Sequence, residues 1–362
     1  MSQISIIPPM SEKATYTENS DIKFQLTYAG RSLKKGSIRI VGELQILNNA
    51  LAVQPEDSLF FDTVLGAHGL FRQITCEVNN QNIETIENYP MVSKARYVSK
   101  NYSWDFMSSA LRNQALQIGN DALAPALLKN AEGSDLPALT WSSFCVSPFI
   151  ALNMSDVDIS GQKGSATITV YLNQSNNFLY GTDAQTSSYS LKNVYLIYQT
   201  NPDNGNARAT MDKVNYVPQT LSSNNQQFSM TLPIVCNAVS CVFHEDGRAV
   251  STNSYELEAL PNVKSVAFNY NDVNNAFVKY NITTLQEMLL NYMNSWKVPA
   301  DSKNLFSLND FINDGKGYGL GMDFGSELVP LNNQAWGMNI QSDVSSARPY
   351  TVGIIFHGVI QV

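Results

Sequence analysis

Residues 165–172, SATITVYL, alternate without a break: Ala166, Ile168, Val170 and Leu172 are apolar, while Ser165, Thr167, Thr169 and Tyr171 are polar or amphipathic. A period of two buries one face and wets the other, which makes this segment a strand in the wall of a two-layer β structure. It closes the longer run from Pro148 to Asn173, PFIALNMSDVDISGQKGSATITVYLN. About half of the 362 residues further on, Leu152-Asn153-Met154 is echoed by Met338-Asn339-Ile340. There YTVGIIFHGVIQV puts Val352, Ile354 and Phe356 in the phase of Ala166, Ile168 and Val170. The expectation is two copies of one β module, each closed by its own last strand.

Length agrees, since 362 residues exceed one ordinary core and suit two domains, and 44% hydrophobic residues can fill both. Only 15% of the residues are charged. Abundant Asn, Gln, Ser and Thr fit extended β surface with polar loops better than a charged helical surface. A net charge of −8 argues against a nucleic-acid groove, which needs clustered Lys and Arg. MSQISIIPPM has neither the basic nor the long apolar part of a signal peptide, and no apolar stretch reaches the roughly 18 residues that span a bilayer, so synthesis in a cytoplasm is expected. Cys76, Cys145, Cys236 and Cys241 lack metal spacing and read as small thiols without disulfides.

In chain order, residues 1–20 read as an irregular arm whose Ile4, Ile6 and Ile7 precede Pro8-Pro9. The first module is placed at residues 21–173. It contains IKFQLTYA, then GSIRIVGELQI with Ile38, Ile40, Leu44 and Ile46 inward, Arg39, Glu43 and Gln45 outward, and a bulge at Gly42. LFRQITCEVNNQNIETIE reads as a hairpin turning at Asn79-Asn80. Met91, Ala95 and Val98 mark a short helix after Tyr89-Pro90, and residues 107–139 a long excursion before SSFCVSPFIAL. Residues 174–188 read as the linker and 189–362 as the second module. Its strands are signalled by Val194, Leu196 and Tyr198, by Phe228, Met230, Leu232 and Ile234, and by Val266, Phe268 and Tyr270, with a turn at Glu245-Asp246-Gly247. Ile282, Leu285, Met288, Leu289, Tyr292, Met293 and Trp296 form a helical stripe opened by a capping box at Thr284 and Glu287 and ended by Pro299.

No chemistry stands out, and no catalytic, cofactor-binding or metal residue is assigned. His68, His244 and His357 are isolated, whereas a cupin-type metal site would show paired His and a carboxylate. Gly315-Lys316-Gly317-Tyr318-Gly319-Leu320-Gly321 lacks the Gly-Lys-Ser/Thr ending of a phosphate loop and reads as a flexible loop before a strand. Asp156, Asp158 and Asn201-Pro202-Asp203-Asn204-Gly205 offer hard oxygens to a calcium ion, or are ordinary turn residues.

GSIRIVGELQI, LGAHGLFRQITCEVNNQNIETIENYP, VSPFIALNM with SATITVYLN, and YGLGMDFGSELVPLNNQAWGMNIQSDVSSARPYTVGIIFHGVIQV resemble the double jelly-roll major capsid proteins, the lineage of adenovirus hexons and membrane-containing tailless phages. The resemblance implies an all-β chain of two tandem eight-stranded jelly rolls with short helices between strands, not an enzyme and without cofactors. It implies a homotrimer forming a pseudo-hexagonal capsomer in an icosahedral virion shell. Neighbouring capsomers, an internal membrane and vertex or minor capsid proteins would be its partners, with no sequence-specific nucleic-acid binding. Residues 107–139 and 297–321 would be outward loops, short beside those of large members. The rival reading is a tandem jelly-roll carbohydrate-binding or spike protein, whose exposed Trp and Tyr would stack on sugars; Trp104, Trp141, Trp296 and Trp336 are the tryptophans to place. A bicupin enzyme comes third.

Overall fold

The computed structural model describes residues 2–53, 57, 59–62, 65–99, 141–161, 164–205, 209–249, 254–271, 274, 276–297, 319–325 and 333–361. The first sandwich consists of β1 (Gln3–Ile7), β2 (Asp21–Thr27), β3 (Arg39–Asn48), β4 (Phe71–Val78), β5 (Gln81–Ile86), β6 (Ser142–Val146), β7 (Ser165–Leu172) and β8 (Ser187–Pro202). One wall is ordered β1-β8-β3-β6, with short strands added at its margins, and the facing wall β2-β7-β4-β5. The second sandwich consists of β9 (Thr210–Leu221), β10 (Asn225–Thr231), β11 (Cys236–Glu245), β12 (Ser265–Asn271), β13 (Phe277–Ile282), β14 (Leu320–Asp323), β15 (Ala335–Gln341) and β16 (Tyr350–Gln361). Its walls run β9-β16-β11-β14 and β10-β15-β12-β13. Adding eight to each label of the first sandwich reproduces the second. This shared order, antiparallel throughout, is the jelly roll, so two of them stand in tandem.

Alternation builds the walls as expected. Ala166, Ile168, Val170 and Leu172 are buried, as are Ile22, Phe24 and Leu26 of the paired β2 and Ile74, Cys76 and Val78 of β4. The β4–β5 hairpin turns on Asn79 and Asn80 at φ 50° and 62°, the double left-handed geometry that Asn tolerates. The bulge near Gly42 lies on the partner strand, where the register shifts between Lys192 and Tyr195. A Cβ on Gly42 would sit 2.9 Å from the Phe144 ring and 3.2 Å from Val194, so glycine is set by close approach. Burial changes phase beyond Leu44, leaving Gln45 buried rather than outward and Ile46 partly exposed. Here the 174–187 connection closes over the end of β3, with Thr186 Oγ1 donating to Asn48 Oδ1.

The two longest helices among the described residues occupy the same topological place, α1 (Tyr89–Ser99) after β5 and α2 (Leu285–Ser295) after β13. The Glu287 amide donates to Thr284 Oγ1, giving half of the capping box. The Glu287 carboxylate serves the Tyr280 hydroxyl at 2.8 Å instead of turning back to Thr284. The excursion at 107–139, Trp104, Pro299 and most of 297–321 lie outside the described residues.

Hydrogen bonding divides the chain differently from the expected boundaries. Residues 1–20 are not an outlying arm: Gln3–Ile7 pairs in register with Leu196–Thr200 and forms an edge of the first sandwich. The extended chain ahead of Pro8-Pro9 has free amides to pair, and the prolines fall just beyond them. Residues 174–188 are not a free linker, because Phe178 is buried, Leu179–Tyr180 pairs with Phe60–Phe61, and Ser175 Oγ donates to Ser187 O. Val194, Leu196 and Tyr198 belong to the first sandwich, since β8 pairs with β3 through Leu191↔Leu44 and Leu196↔Ile40. The sequence echo also joins unlike strands. β7, the seventh of its roll, corresponds to β15, whereas Val352, Ile354 and Phe356 lie in β16, an eighth strand. Leu152 and Asn153 form a single helical turn, and Met338-Asn339-Ile340 lie within β15.

Candidate functional site: the seam between the jelly rolls

The contacts that join the two rolls bring together buried polar groups from both, and they define the site. Residues 154–156 run beside the start of β9. Asp156 N donates to Thr210 O, Asp212 N to Met154 O, and Thr210 N to Asp156 Oδ1, an antiparallel bridge to the first residues of the second roll. Buried Asn173 donates to the Tyr255 hydroxyl at 2.6 Å, and Asn88 Nδ2 to the Tyr216 hydroxyl at 3.2 Å. The two topologically equivalent helices also meet, with Ser99 Oγ donating to Tyr292 OH.

Glu84 on β5 is central. It is 5% exposed, and its two carboxylate oxygens accept from Ala151 N at 2.7 Å and from Val214 N of the second roll at 2.9 Å. Burial pushes its pKa up to about 7, against the pull of those two amides and of Lys213 and Arg96. Val214, Lys213 and Arg96 line a cavity of about 30 Å³ together with Asp212, Asn237, Ser295, Trp296 and His357. Apolar packing carries the seam inward, and one buried cluster includes residues of both rolls, from Phe24 and Ile168 to Phe268 and Phe356.

The glycine run has a packing role here. Gly321 lies in β14, where a Cβ would collide with Ser295, and a Cβ on Gly319 would collide with the Tyr292 ring, so the two glycines let α2 lie directly on the strand. That corrects the flexible-loop reading for residues 319–321; residues 315–318 lie outside the described residues.

The three histidines lie on separate elements, His68 ahead of β4, His244 on β11 and His357 on β16. His68 is fully buried, stacks on Phe149, and shares a 2.8 Å hydrogen bond between Nδ1 and Tyr89 OH; burial lowers its pKa to about 3. His357 pairs through Nε2 with Ser240 Oγ and meets Trp296 edge-on. Burial lowers the pKa of His244. Among the described residues no group of three or more His, Cys, Asp or Glu is placed to hold a metal ion. The four cysteines are free thiols, three buried and Cys145 half-buried. Asp158 and residues 201–205 are brought together as the sequence allowed, but protein donors meet their oxygens. Asp158 accepts from Lys35 N and Asn201 Nδ2, and Asp203 from Ser32 Oγ, Ser160 Oγ and Gly205 N, which lowers the Asp203 pKa. This is a turn network that ties the end of β8 to the 155–161 segment. Trp296 and Trp336 are buried, and Lys192 lies 4.2 Å above the partly exposed Trp141 ring.

Sequence reasoning missed Glu84 as a joint between the rolls. The available signal was a carboxylate in the same strand phase as buried Ile86.

Two jelly rolls of identical strand order in one chain define the double jelly-roll class, and that is the fold of this protein. No family model matches the chain, and no curated protein matches it in sequence. Among solved structures it is similar to the Faustovirus major capsid protein, with a TM-score of 0.61 and 8% identity over 100% of this chain and 90% of that one. It is also similar to a chain of the Sputnik virophage, with a TM-score of 0.60 and 9% identity over 100% and 86%. The mavirus major capsid protein follows, with a TM-score of 0.52 and 9% identity over 99% and 88%. At such identities the likeness is one of fold, and it extends from end to end of this chain.

Proposed function

We propose that this protein is a major capsid protein, a structural subunit that assembles as a homotrimer into pseudo-hexagonal capsomers of an icosahedral virion shell. The observation that carries this reading is the repeated strand order in two jelly rolls, matched along its full length by chains named as major capsid proteins. The seam supports it, because backbone bridges, buried side-chain hydrogen bonds and shared apolar packing fix the two rolls as one block. A chain with only 15% charged residues offers neighbours many modest hydrogen-bonding contacts without the desolvation cost of buried charge. The net charge of −8 favours protein partners over the genome. Synthesis in a host cytoplasm, contact with an internal membrane and contact with vertex or minor capsid proteins belong to the same reading. Burial of Trp296 and Trp336 removes two of the aromatic platforms that a carbohydrate-binding protein would use.

Light scattering on the full-length protein tests the assembly state. The expected mass is about 120 kDa, three times the 40.0 kDa chain, with an interface above about 2,000 Å². A monomer at micromolar concentration overturns the trimer, and a mass that shifts with added oligosaccharide favours the carbohydrate-binding alternative.

A further inference from the structure

We propose that the cavity at the seam binds a small inorganic anion, with Arg96 and Asn237 as its principal hydrogen-bond donors. Arg96 belongs to α1 of the first roll; Asn237, Trp296 and His357 belong to the second, so an occupant would bridge the two. The volume of about 30 Å³ admits one small ion or about two waters. Arg96 is 6% exposed and Asn237 2% exposed, yet Arg96 Nε and both side-chain polar atoms of Asn237 have no hydrogen-bond partner among the described residues. The Trp296 indole N–H, also buried, has no hydrogen-bond partner among the described residues.

Charge favours an anion over water. A buried guanidinium needs a counter-charge as well as acceptors. Arg96 has the Phe149 ring at 5.1 Å and makes no ion pair among the described residues. Its nearby acid, Glu84, spends both oxygens on backbone amides and is held toward neutrality by burial. Among the described lining residues Lys213 adds positive charge, and Asp212, which is exposed, is the carboxylate. The counter-charge that Arg96 lacks among the described residues is what an anion in the cavity would supply.

The test is thermal unfolding of the full-length protein in sodium chloride, bromide or sulfate against sodium gluconate, whose anion is too large to enter, at matched ionic strength. A saturable rise of about 1 to 3 °C over gluconate is expected for the ion that fits, and halide or sulfate response names its class. Asn237→Asp, which places a fixed carboxylate in the cavity, should abolish that dependence. Bromide-soaked crystals of the unaltered protein should show an anomalous peak within hydrogen-bonding distance of Arg96 and Asn237, whatever the folding of the variant. Equal melting in all salts, a salt response that persists in the variant, or water alone at this position in bromide would each overturn the proposal.

Discussion

Ser99 Oγ donates a 2.9 Å hydrogen bond to the Tyr292 hydroxyl, and with it the last turn of α1 in the first roll is joined to the middle of α2 in the second. Both groups are buried, and burial pushes the Tyr292 pKa up to about 12. Tyr292→Phe leaves the Ser99 hydroxyl without its partner and should cost about 1–3 kcal/mol in denaturant unfolding. The double variant with Ser99→Ala should recover part of that loss. A strictly additive double-mutant cycle would mean the two hydroxyls are not coupled.

Glu84 makes the seam sensitive to pH. Its folded pKa of about 7 lies above the ordinary 4.5, so the folded state holds the proton more tightly than the unfolded chain. The contribution is fully present below about pH 4.5 and is lost as pH rises through 7, by up to about 3 kcal/mol. Stability measured between pH 5 and 8 should fall across this window. Glu84→Gln should flatten the slope at a fixed cost, because its NH₂ group would face a backbone amide that now has an acceptor. An unchanged slope in Glu84→Gln would assign the pH dependence elsewhere.

The first strand separates folding from contact with neighbours. Ile4 and Ile6 are each 63% exposed on β1, whereas the β1 backbone pairs with β8. Ile4→Ser with Ile6→Ser should leave unfolding within about 0.5 kcal/mol of the parent. Deleting residues 2–8 should lower the melting temperature, because it strips the hydrogen-bonded edge from β8. Equal melting of deletion and parent would show that β1 adds nothing to the roll.

Gly319 tests how closely α2 sits on its strand. A Cβ there would collide with the Tyr292 ring and lie 2.8 Å from Cys241 O, and the backbone side of that clash cannot rotate away. Gly319→Ala should cost about 1–3 kcal/mol or more. Gly247→Ala is the contrast: a Cβ there meets nothing within 4 Å, so its cost comes only from a φ of 74°.

Strands buried on one face announced themselves, as in residues 165–172 and the Asn79-Asn80 hairpin, because alternation and turn chemistry are local. β11, CNAVSCVFHE, is buried along almost its whole length and so has no alternation to read. β9 carries Asp212, Lys213 and Pro218, which obscure its pattern; as an edge strand beside β16 it tolerates the proline. The domain boundary failed for a different reason. Leu191 and Leu196 say that β8 is a strand, but only its pairing with residues some 150 positions earlier says to which roll it belongs. The seam was opaque for the same reason: Glu84, Ala151 and Val214 share no motif and meet only once both rolls are folded.

The placement of β8 between β1 and β3 also sets a timetable for biosynthesis. A ribosome delivers β1 and β3 first, and the strand that must slide between them is complete only at residue 202. At about 5–20 residues per second, the nascent chain spends roughly 8 to 30 s with two unpaired strand edges exposed. The second roll repeats the delay, because β16 ends at Gln361. Each half therefore closes only on its final strand, and this chain should depend on protection from aggregation during translation more than its modest size implies.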